Sequence, residues 1–369
     1  MSSQTRPLPT YDWEPTTDFL AAKYRLPREA IVRYDVNTSP FPPDLRDVLA
    51  GDFVPVLSEY PPSDYSALVE AAAAAYGVGA DEVLPTAGAD EALDLSARAF
   101  LREGSVAVAA VPTYSMYRIV TEQRGATFRG VPRTAPEEGF ALDIPALTAA
   151  ARTADLVWLC EPNNPTGLAE PVERIALLLD RVAADAAADQ REAPAVVVDE
   201  AYAEFVETSV LRLRDRYPRL VVIRTLSKAH ALAGARVGFA VAAPRTVAPI
   251  MSFRAPASVS IVSAALATAA LRRPELAEAN IARIAEQRTR MIIELSALGW
   301  RPYPSLVNFI LFRFSSPRSA GDAAETLLRS GLVPRTFGAD HPLASCIRLT
   351  VRSAAENDRL FAAARGISA

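Results

Sequence analysis

The chain has 369 residues, half of them hydrophobic and 22% charged, and its formal net charge is −4. This length allows one large domain with a smaller one attached, and the mild acidity gives no reason to expect a nucleic-acid or anionic-membrane partner. No apolar stretch reaches the roughly 18 residues of a membrane helix, and residues 1–15 lack the basic start and apolar run of a signal peptide.

Cysteines and histidines are rare in the chain. Cys160 and Cys346 each lie in an apolar run that predicts a strand, so we expect two reduced core thiols and a cytoplasmic protein. The histidines, His230 and His341, do not form a group with the cysteines that would suit a metal ion. We therefore expect no metal site.

The first part of the chain, residues 1–44, is predicted to be extended and to form part of the small domain. Its prolines at positions 40, 42 and 43 favour a segment that drapes over both domains. The next pattern is an Ala-rich helix at 65–76, ended by Gly77, which is a good C-cap residue.

Residues 45–255 are predicted to form a large domain. Short runs rich in Val, Leu and Ile alternate in it with helical patterns at 91–102 and 172–188. The runs that predict buried strands are 106–111, 156–160, 195–198, 220–224 and 237–241. This alternation is typical of an α/β fold, in which helices cover both faces of a mostly parallel sheet.

Residues 256–369 are predicted to form a smaller α+β domain. Helical patterns at 258–273 and 274–298 come first, and the second has Pro at a first-turn position and ends before Gly299. A strand at 309–314, a helix near 323–330, a strand at 346–351 and a last helix from Ser353 complete the pattern.

A lysine follows the predicted strand at 220–224, in the segment 224–228 (RTLSK). Lys228 therefore lies where a parallel strand ends, which is where α/β sheets collect ligands. Nearby cations and partial desolvation would free its amine for covalent chemistry with a carbonyl group. A lone Ser-Lys is more often a solvated loop, so this interpretation depends on the motifs around it.

Three other strand ends carry polar or aromatic residues. Asp199 ends a buried strand and could pair with a protonated pyridine nitrogen, with Tyr202 beside it. Asn164 lies in a rigid turn at 162–167 (PNNPTG), and Tyr114 follows the strand at 106–111. Taken singly, these residues are equally compatible with a helix cap, a plain turn and core packing.

A glycine-containing segment at 86–91 (TAGADE) opens a predicted helix. Free backbone N–H groups at such a position bind anions, and Gly88 permits close approach. The hydroxyls of Thr225 and Ser227 and the guanidinium of Arg236 offer further contacts to an anion. Alone, the segment is also compatible with an ordinary capped helix start.

Together these segments resemble the fold-type I enzymes that use pyridoxal 5′-phosphate (PLP), and among them the class I and II aminotransferases. Within that group the chain most resembles the histidinol-phosphate aminotransferase family. The resemblance runs from about residue 37 to 360 and rests on PNNPTG at 162–167, DEAY at 199–202 and RTLSK at 224–228, in the family's order.

The resemblance implies a cofactor role for each matching residue. Lys228 would hold PLP as a Schiff base and move a proton between substrate and cofactor, and Asp199 would pair with the pyridine nitrogen. Asn164 and Tyr202 would bond the ring oxygen, while Tyr114 would stack on the ring. The residues that would hold the phosphate are Ala89, Asp90, Thr225, Ser227 and Arg236.

The resemblance also implies a homodimer and a substrate site. Tyr60 matches a tyrosine that reaches the phosphate in the neighbouring subunit. Arg348 matches the arginine that binds the anionic group of the substrate, and Arg335 matches a second arginine for a substrate phosphate. Asn308 would lie beside the substrate. Guanidinium groups suit this task because their planar fork bonds two oxygens of an anion.

Three positions depart from the family's usual sequence. Residues 37–40 read NTSP instead of NENP, His230 follows the lysine segment, and Arg352 follows the substrate arginine. We interpret His230 as a packing residue and Arg352 as a surface residue. The departures leave the cofactor assignment intact and affect the choice of substrate.

The implied function is a two-stage transamination between histidinol phosphate and 2-oxoglutarate, a step of histidine biosynthesis. Three alternatives stay open. The enzyme could transaminate an aromatic amino acid, whose carboxylate could use Arg348 alone. It could be a lyase similar to threonine-phosphate decarboxylase, because the sequence does not show which bond stands perpendicular to the ring. It could also be a PLP-binding module without catalysis.

Overall fold

The structure, a computed structural model, describes residues 8–49, 58–206 and 208–367. Its strands are Val32–Arg33 (β1), Val83–Thr86 (β2), Val106–Val111 (β3), Thr127–Pro132 (β4), Leu156–Cys160 (β5), Ala195–Asp199 (β6), Leu220–Thr225 (β7), Gly238–Ala242 (β8), Arg301–Pro302 (β9), Phe309–Arg313 (β10), Leu332–Val333 (β11) and Cys346–Thr350 (β12). Its α-helices are Thr17–Tyr24 (α1), Arg46–Leu49 (α2), Ser66–Tyr76 (α3), Ala89–Phe100 (α4), Met116–Gln123 (α5), Ile144–Ala151 (α6), Val172–Ala188 (α7), Pro244–Met251 (α8), Ile261–Leu271 (α9), Pro274–Ala297 (α10), Pro317–Arg329 (α11) and Ala354–Ala364 (α12).

The central sheet has seven strands in the order β2-β8-β7-β6-β5-β3-β4. The strands β4, β3, β5, β6 and β7 run parallel to one another. β8 runs antiparallel to both of its neighbours, β7 and β2. The predicted mostly parallel sheet is confirmed. The direction of β8 is the one exception, and the sequence does not predict it because an apolar run indicates that a strand is buried but not which way it runs.

Helices cover both faces of this sheet, as predicted. In β6, Val196 and Val198 belong to one core and Val197 belongs to the other, because successive side chains of a strand point to opposite faces. The first core takes side chains from α3, α6, α7 and α9, and the second from α4, α5 and α8. Burial on both faces explains why the inner strands read as continuous apolar runs.

The sequence pattern does not predict the two edge strands, β2 and β4. Among the described strands β4 pairs only with β3, and most of its side chains are exposed or half-buried. Its sequence TFRGVP therefore lacks the apolar run that marks the inner strands. The short helices α5 and α6, of eight residues each, are also absent from the predicted elements.

The C-terminal elements form a separate core around a three-stranded antiparallel sheet, β12-β10-β9. β1 pairs with β11, so that Val32 and Tyr34 from the N-terminal part pack beside Leu327 and Leu360. α11 begins at Pro317, earlier than predicted, because Ser316 caps it by accepting a hydrogen bond from the Ser319 N–H. The predicted domain boundaries after residues 44 and 255 stay a prediction. Helix α9 lies after the second boundary, but it packs against α3 of the predicted large domain.

Cys160 and Cys346 are both buried free thiols. Each lies in a strand, as the sequence indicates. Within the described ranges, none of the helices has both the length and the apolar character that crossing a membrane requires.

Candidate active site

The carboxyl ends of β3, β5, β6 and β7 meet at one edge of the sheet, where a cleft of about 820 Å³ opens. This is the expected location of a ligand site in an open α/β sheet. The predicted site residues that line the cleft are Ala89, Asp90, Tyr114, Asn164, Asp199, Tyr202, Thr225, Ser227, Lys228, Arg236, Arg335 and Arg348.

Two predicted site residues do not line the cleft. Tyr60 lies outside it and is 87% exposed. Asn308 is fully buried behind the cleft wall, where its Nδ2 donates a hydrogen bond to the backbone oxygen of Asn37 at 3.0 Å. The Oδ1 of Asn308 has no hydrogen-bond partner among the described residues. Its predicted contact with substrate would require this oxygen to become accessible.

Lys228 follows β7 and points into the cleft. Its Nζ donates a hydrogen bond to the backbone oxygen of Asn37 at 3.3 Å and lies 5.6 Å from the centre of the Tyr202 ring. Desolvation and the positive charge of Arg348 together lower the pKa of Lys228 to about 8. At neutral pH this lowered pKa increases the fraction of neutral, nucleophilic amine over that of an ordinary lysine.

Asp199 ends β6, and both of its carboxylate oxygens accept hydrogen bonds. The Tyr117 hydroxyl donates to Oδ2 at 2.9 Å, and the Ala201 N–H donates to Oδ1 at 3.0 Å. Burial raises the pKa of Asp199 to about 6, while these two hydrogen bonds act in the opposite direction. A carboxylate in this setting gains most from a cationic partner, such as a protonated ring nitrogen.

Tyr117 is a site residue that the sequence pattern does not identify. It is fully buried and stacks on Trp158, with ring centres 5.5 Å apart, and the edge of its ring meets Tyr114. The available signal was its position in the same segment, three residues after Tyr114. Its contact with Asp199 joins segments 82 residues apart and needs the folded sheet.

The start of α4 forms a cradle with the chain around Arg236. Gly88 has φ of +88° and Arg236 has φ of +53°. A Cβ on Gly88 would lie 2.5 Å from Arg236 Nη2, and a Cβ on Gly238 would lie 2.6 Å from the Gly88 carbonyl carbon. Gly238 is therefore required for the close approach of the two backbones, whereas Gly88 is required by its positive φ, since the flexible Arg236 side chain could move away.

The cradle has the donors that an anion needs. The Thr225 and Ser227 hydroxyls lie 3.0 Å apart at its wall, and the guanidinium of Arg236 contacts Asp90 at 3.4 Å. The N-terminal N–H groups of α4 add a positive partial charge. A contact of 3.4 Å with Asp90 is weak, so Arg236 can turn to a bound phosphate at little cost.

Tyr202 and Asn164 reach the cleft from the ends of β6 and β5. The Tyr202 hydroxyl accepts a hydrogen bond from Asn37 Nδ2 at 3.0 Å. Asn164 Oδ1 accepts from Arg348 Nη1 at 2.6 Å, which leaves the Asn164 Nδ2 as a donor. Both groups can therefore donate to one oxygen of a bound ring.

Arg348 and Arg335 form the other end of the cleft. Their backbones make a reciprocal pair, with the Arg335 N–H on the Arg348 oxygen at 3.0 Å and the Arg348 N–H on the Arg335 oxygen at 2.9 Å. Directly opposite residues of an antiparallel pair project to the same face, so two guanidinium groups line one wall. Arg335 forms an ion pair with Glu14.

Arg348 is buried and has only neutral hydrogen-bond partners. Its Nη2 donates to the backbone oxygen of Asp35 at 2.5 Å, its Nη1 donates to Asn164, and its Nε has no partner among the described residues. Burial lowers the pKa of Arg348 to about 10, which leaves it cationic at neutral pH. A buried cation without a carboxylate partner is a strong site for an incoming anion.

His230 and Arg352, which differ from the family's usual sequence after the lysine and after the substrate arginine, do not line the cleft. Arg352 donates to Glu356 at 2.6 Å and to the Thr38 oxygen at 3.4 Å, and its side chain is only 15% exposed. It is therefore a half-buried partner of the residues that cap α12, and it does not line the cleft. His230 is half-buried, and desolvation lowers its pKa.

The cleft therefore fits the cofactor that the resemblance implies. It has a cradle for a phosphate, a buried carboxylate for a ring nitrogen, two donors for a ring oxygen and an amine whose pKa is lowered. A second anion site, formed by Arg335 and Arg348, lies in the same cleft.

Comparisons with known proteins agree with this chemistry. The family model described as "Aminotransferase class I and II" matches residues 47–363. The chain is 37% identical over 324 residues to a histidinol-phosphate aminotransferase of Xylella fastidiosa, with 85% of each chain covered. It is 38% identical to one of Nocardia farcinica, with 92% of this chain and 87% of the relative covered.

Among solved structures, the chain is similar to the histidinol-phosphate aminotransferase of Sinorhizobium meliloti in complex with pyridoxal-5′-phosphate. The TM-score is 0.84 at 26% sequence identity, and the match covers 96% of this chain and 95% of that one. The match thus includes the central sheet with its helices, the C-terminal core and the residues that line the cleft.

Proposed function

The chain belongs to the class I and II aminotransferases, and from this membership we propose that it transfers the amino group of histidinol phosphate to 2-oxoglutarate with PLP as cofactor. The observation that carries the choice of substrate is the pair of guanidinium groups, Arg335 and Arg348, on one wall of the cleft that holds Lys228. Two cations on one wall suit the double charge of a phosphate.

When bound, PLP supplies an aldehyde that takes up an amino group and a pyridine ring that withdraws electrons from the reacting carbon. Lys228 would hold it covalently. Because the pKa of Lys228 is about 8, its freed amine could accept a proton from the substrate carbon next to nitrogen and later return it.

The other residues would position the cofactor and fix the protonation of its pyridine nitrogen and ring oxygen. Asp199 would keep the pyridine nitrogen protonated, while Asn164 and Tyr202 would donate to the ring oxygen. Tyr114 would stack on the ring. The cradle at Ala89 and Asp90, with Thr225, Ser227 and Arg236, would hold the cofactor phosphate.

A second candidate is the transamination of an aromatic amino acid. The ion pair between Arg335 and Glu14 favours it, because that pair occupies one of the two cations and leaves Arg348 for a single carboxylate. The chain's relatives named histidinol-phosphate aminotransferase support the first candidate.

A panel of half-reactions tests the choice. Loss of the visible cofactor absorbance would be followed after addition of histidinol phosphate, phenylalanine, tyrosine or glutamate to the loaded enzyme. We expect the largest second-order rate with histidinol phosphate. A larger rate with phenylalanine or tyrosine would favour the second candidate, and release of carbon dioxide from threonine phosphate without amino transfer would make the protein a lyase.

We further propose that the protein works as a homodimer in the cytoplasm. Tyr60 supports the dimer, since it is 87% exposed outside the cleft and is free to enter the site of another subunit. The two buried free thiols support a reducing compartment. Light scattering of the pure protein tests the dimer, and Tyr60→Phe should raise the PLP dissociation constant only if the tyrosine reaches a phosphate.

A further inference from the structure

Asn37 lies at the centre of the contacts that surround Lys228. Its N–H donates to Thr350 Oγ1 at 3.0 Å, and its backbone oxygen accepts from Lys228 Nζ at 3.3 Å and from Asn308 Nδ2 at 3.0 Å. Its side-chain Nδ2 donates to the Tyr202 hydroxyl oxygen at 3.0 Å. Asn37 is 3% exposed and lines the cleft.

The backbone of Asn37 is left-handed, with φ of +52°. Apart from glycine, asparagine and aspartate are the residues that adopt this conformation most readily. The conformation directs the backbone oxygen towards Lys228 and the side chain towards Tyr202 at the same time. One residue thus contacts both the amine and the phenol at the cleft.

The contact with Asn37 determines what the Tyr202 hydroxyl can do. An amide nitrogen only donates, so the phenol oxygen is the acceptor and keeps its own hydrogen for another partner. Among the described residues, the structure shows no acceptor for that hydrogen. Tyr202 lines the cleft, so the hydrogen is available to a ligand bound there.

We propose that Asn37 is a positioning residue that turns the Tyr202 hydroxyl hydrogen towards the ring oxygen of the bound cofactor. The inference rests on the proposed function, in which Tyr202 bonds that oxygen. A donated hydrogen bond stabilises the negative charge on this oxygen most when the neighbouring cofactor nitrogen, bonded to Lys228, has lost its proton and no longer balances that charge. Asn37 would thereby lower the pH at which the visible chromophore of the loaded enzyme titrates.

Asn37→Asp reverses the direction of this hydrogen bond and keeps the left-handed backbone. A carboxylate at position 37 would accept the Tyr202 hydrogen and withdraw it from the cofactor. Asn37→Gly is the matched control, because glycine adopts the same φ and removes the donor without adding charge. The backbone contacts to Lys228 and Asn308 can persist in both variants.

The experiment is a pH titration of the visible absorbance of PLP-loaded wild type, N37D, N37G, Tyr202→Phe and the double variant N37D/Y202F. PLP retention and thermal unfolding are measured on each protein to establish that it is folded and loaded. We expect the chromophore pKa to rise by about one to two units in N37D and in Y202F, and by less in N37G. The double variant should titrate like Y202F.

Each other outcome contradicts a different statement. An N37D titration equal to wild type, with a shifted Y202F, would show that the amide does not donate to Tyr202 and would overturn the role of Asn37 alone. A chromophore pKa in the double variant above that of Y202F would show that the added negative charge causes the effect of N37D. This result would also overturn the role of Asn37. A Y202F titration equal to wild type would overturn both the Asn37 inference and the proposed role of Tyr202. Failure of the wild type to bind PLP would contradict the proposed function itself.

Discussion

The two ends of the cleft use charge in different ways. At the end near the sheet, Asp199 and Lys228 are shielded from water, and burial shifts the pKa of each towards its neutral form. Their hydrogen-bond partners are neutral groups. At the other end, Arg348 stays cationic although burial lowers its pKa to about 10, and Arg335 is paired with the carboxylate of Glu14.

This difference separates covalent chemistry from recognition. A group that must exchange a proton near neutral pH needs a shifted pKa, which desolvation provides. A group that must bind a changing series of anions needs a permanent charge and a weak or displaceable partner. Variants at the two ends should therefore lose activity in different ways.

The largest effect is expected from Lys228→Ala. Turnover should fall on the order of 10⁴-fold, because the variant loses both the covalent attachment and the proton carrier. The absorbance shift that accompanies covalent attachment of PLP should also be lost. The chain has only one other lysine, the exposed Lys23, so Lys23→Ala is the matched control. Normal turnover of K228A would contradict the whole assignment.

Substitutions of Arg348 and Arg335 should affect histidinol phosphate and phenylalanine to different extents. Arg348→Gln should lower kcat/KM about 10²-fold for every anionic substrate, because it removes the charge-assisted contacts of a buried cation. Arg335→Gln should lower it about tenfold for histidinol phosphate and much less for phenylalanine. Arg318→Gln, which changes an exposed arginine outside the cleft lining, is the control. Equal losses in R335Q for both substrates would argue against a phosphate role.

The pH dependence of cofactor loading should report the amine of Lys228. Its pKa is lowered, so the neutral amine accumulates as pH rises, and the loading rate of cofactor-free protein should increase with pH and level off above about 8. Arg348 contributes to this lowering. R348Q should therefore move the profile to higher pH, and an unmoved profile would show that the charge of Arg348 does not reach the amine.

Tyr117→Phe should have a smaller effect at the same end of the cleft. It removes one of the two hydrogen bonds that hold the pKa of Asp199 down, so the carboxylate should pair less well with the ring nitrogen. We expect kcat to fall about tenfold with little change in KM. Tyr34→Phe deletes an equally buried hydroxyl in the C-terminal core and is the control. Equal losses in both variants would indicate a packing effect.

The smallest effect is expected from Glu14→Gln. Removal of the carboxylate would free Arg335, and KM for histidinol phosphate should fall up to about fivefold, in keeping with the modest strength of a partly exposed ion pair. Glu29→Gln changes an exposed carboxylate elsewhere and should leave KM unchanged. A rise of KM in E14Q would mean that Glu14 contacts the substrate instead of competing with it.

The fold class and the cofactor end of the cleft could be predicted from the sequence. Apolar runs covered by helices on both faces predict the inner strands, and residues just after such a strand must lie at the carboxyl edge of the sheet. Asp199, Asn164 and Lys228 were therefore predictable from local segments, and so was the glycine that opens α4.

The direction of β8, the edge strands and the contacts between distant segments became visible only in the folded chain. Asn37 and Tyr202 are 165 residues apart, and Arg348 and Asn164 are 184 apart. Periodicity reports the burial of a residue and not its neighbour across the fold. The hydrogen-bond direction at Tyr202 and the partner of each arginine follow from how the N-terminal segment and the C-terminal core close over the sheet edge.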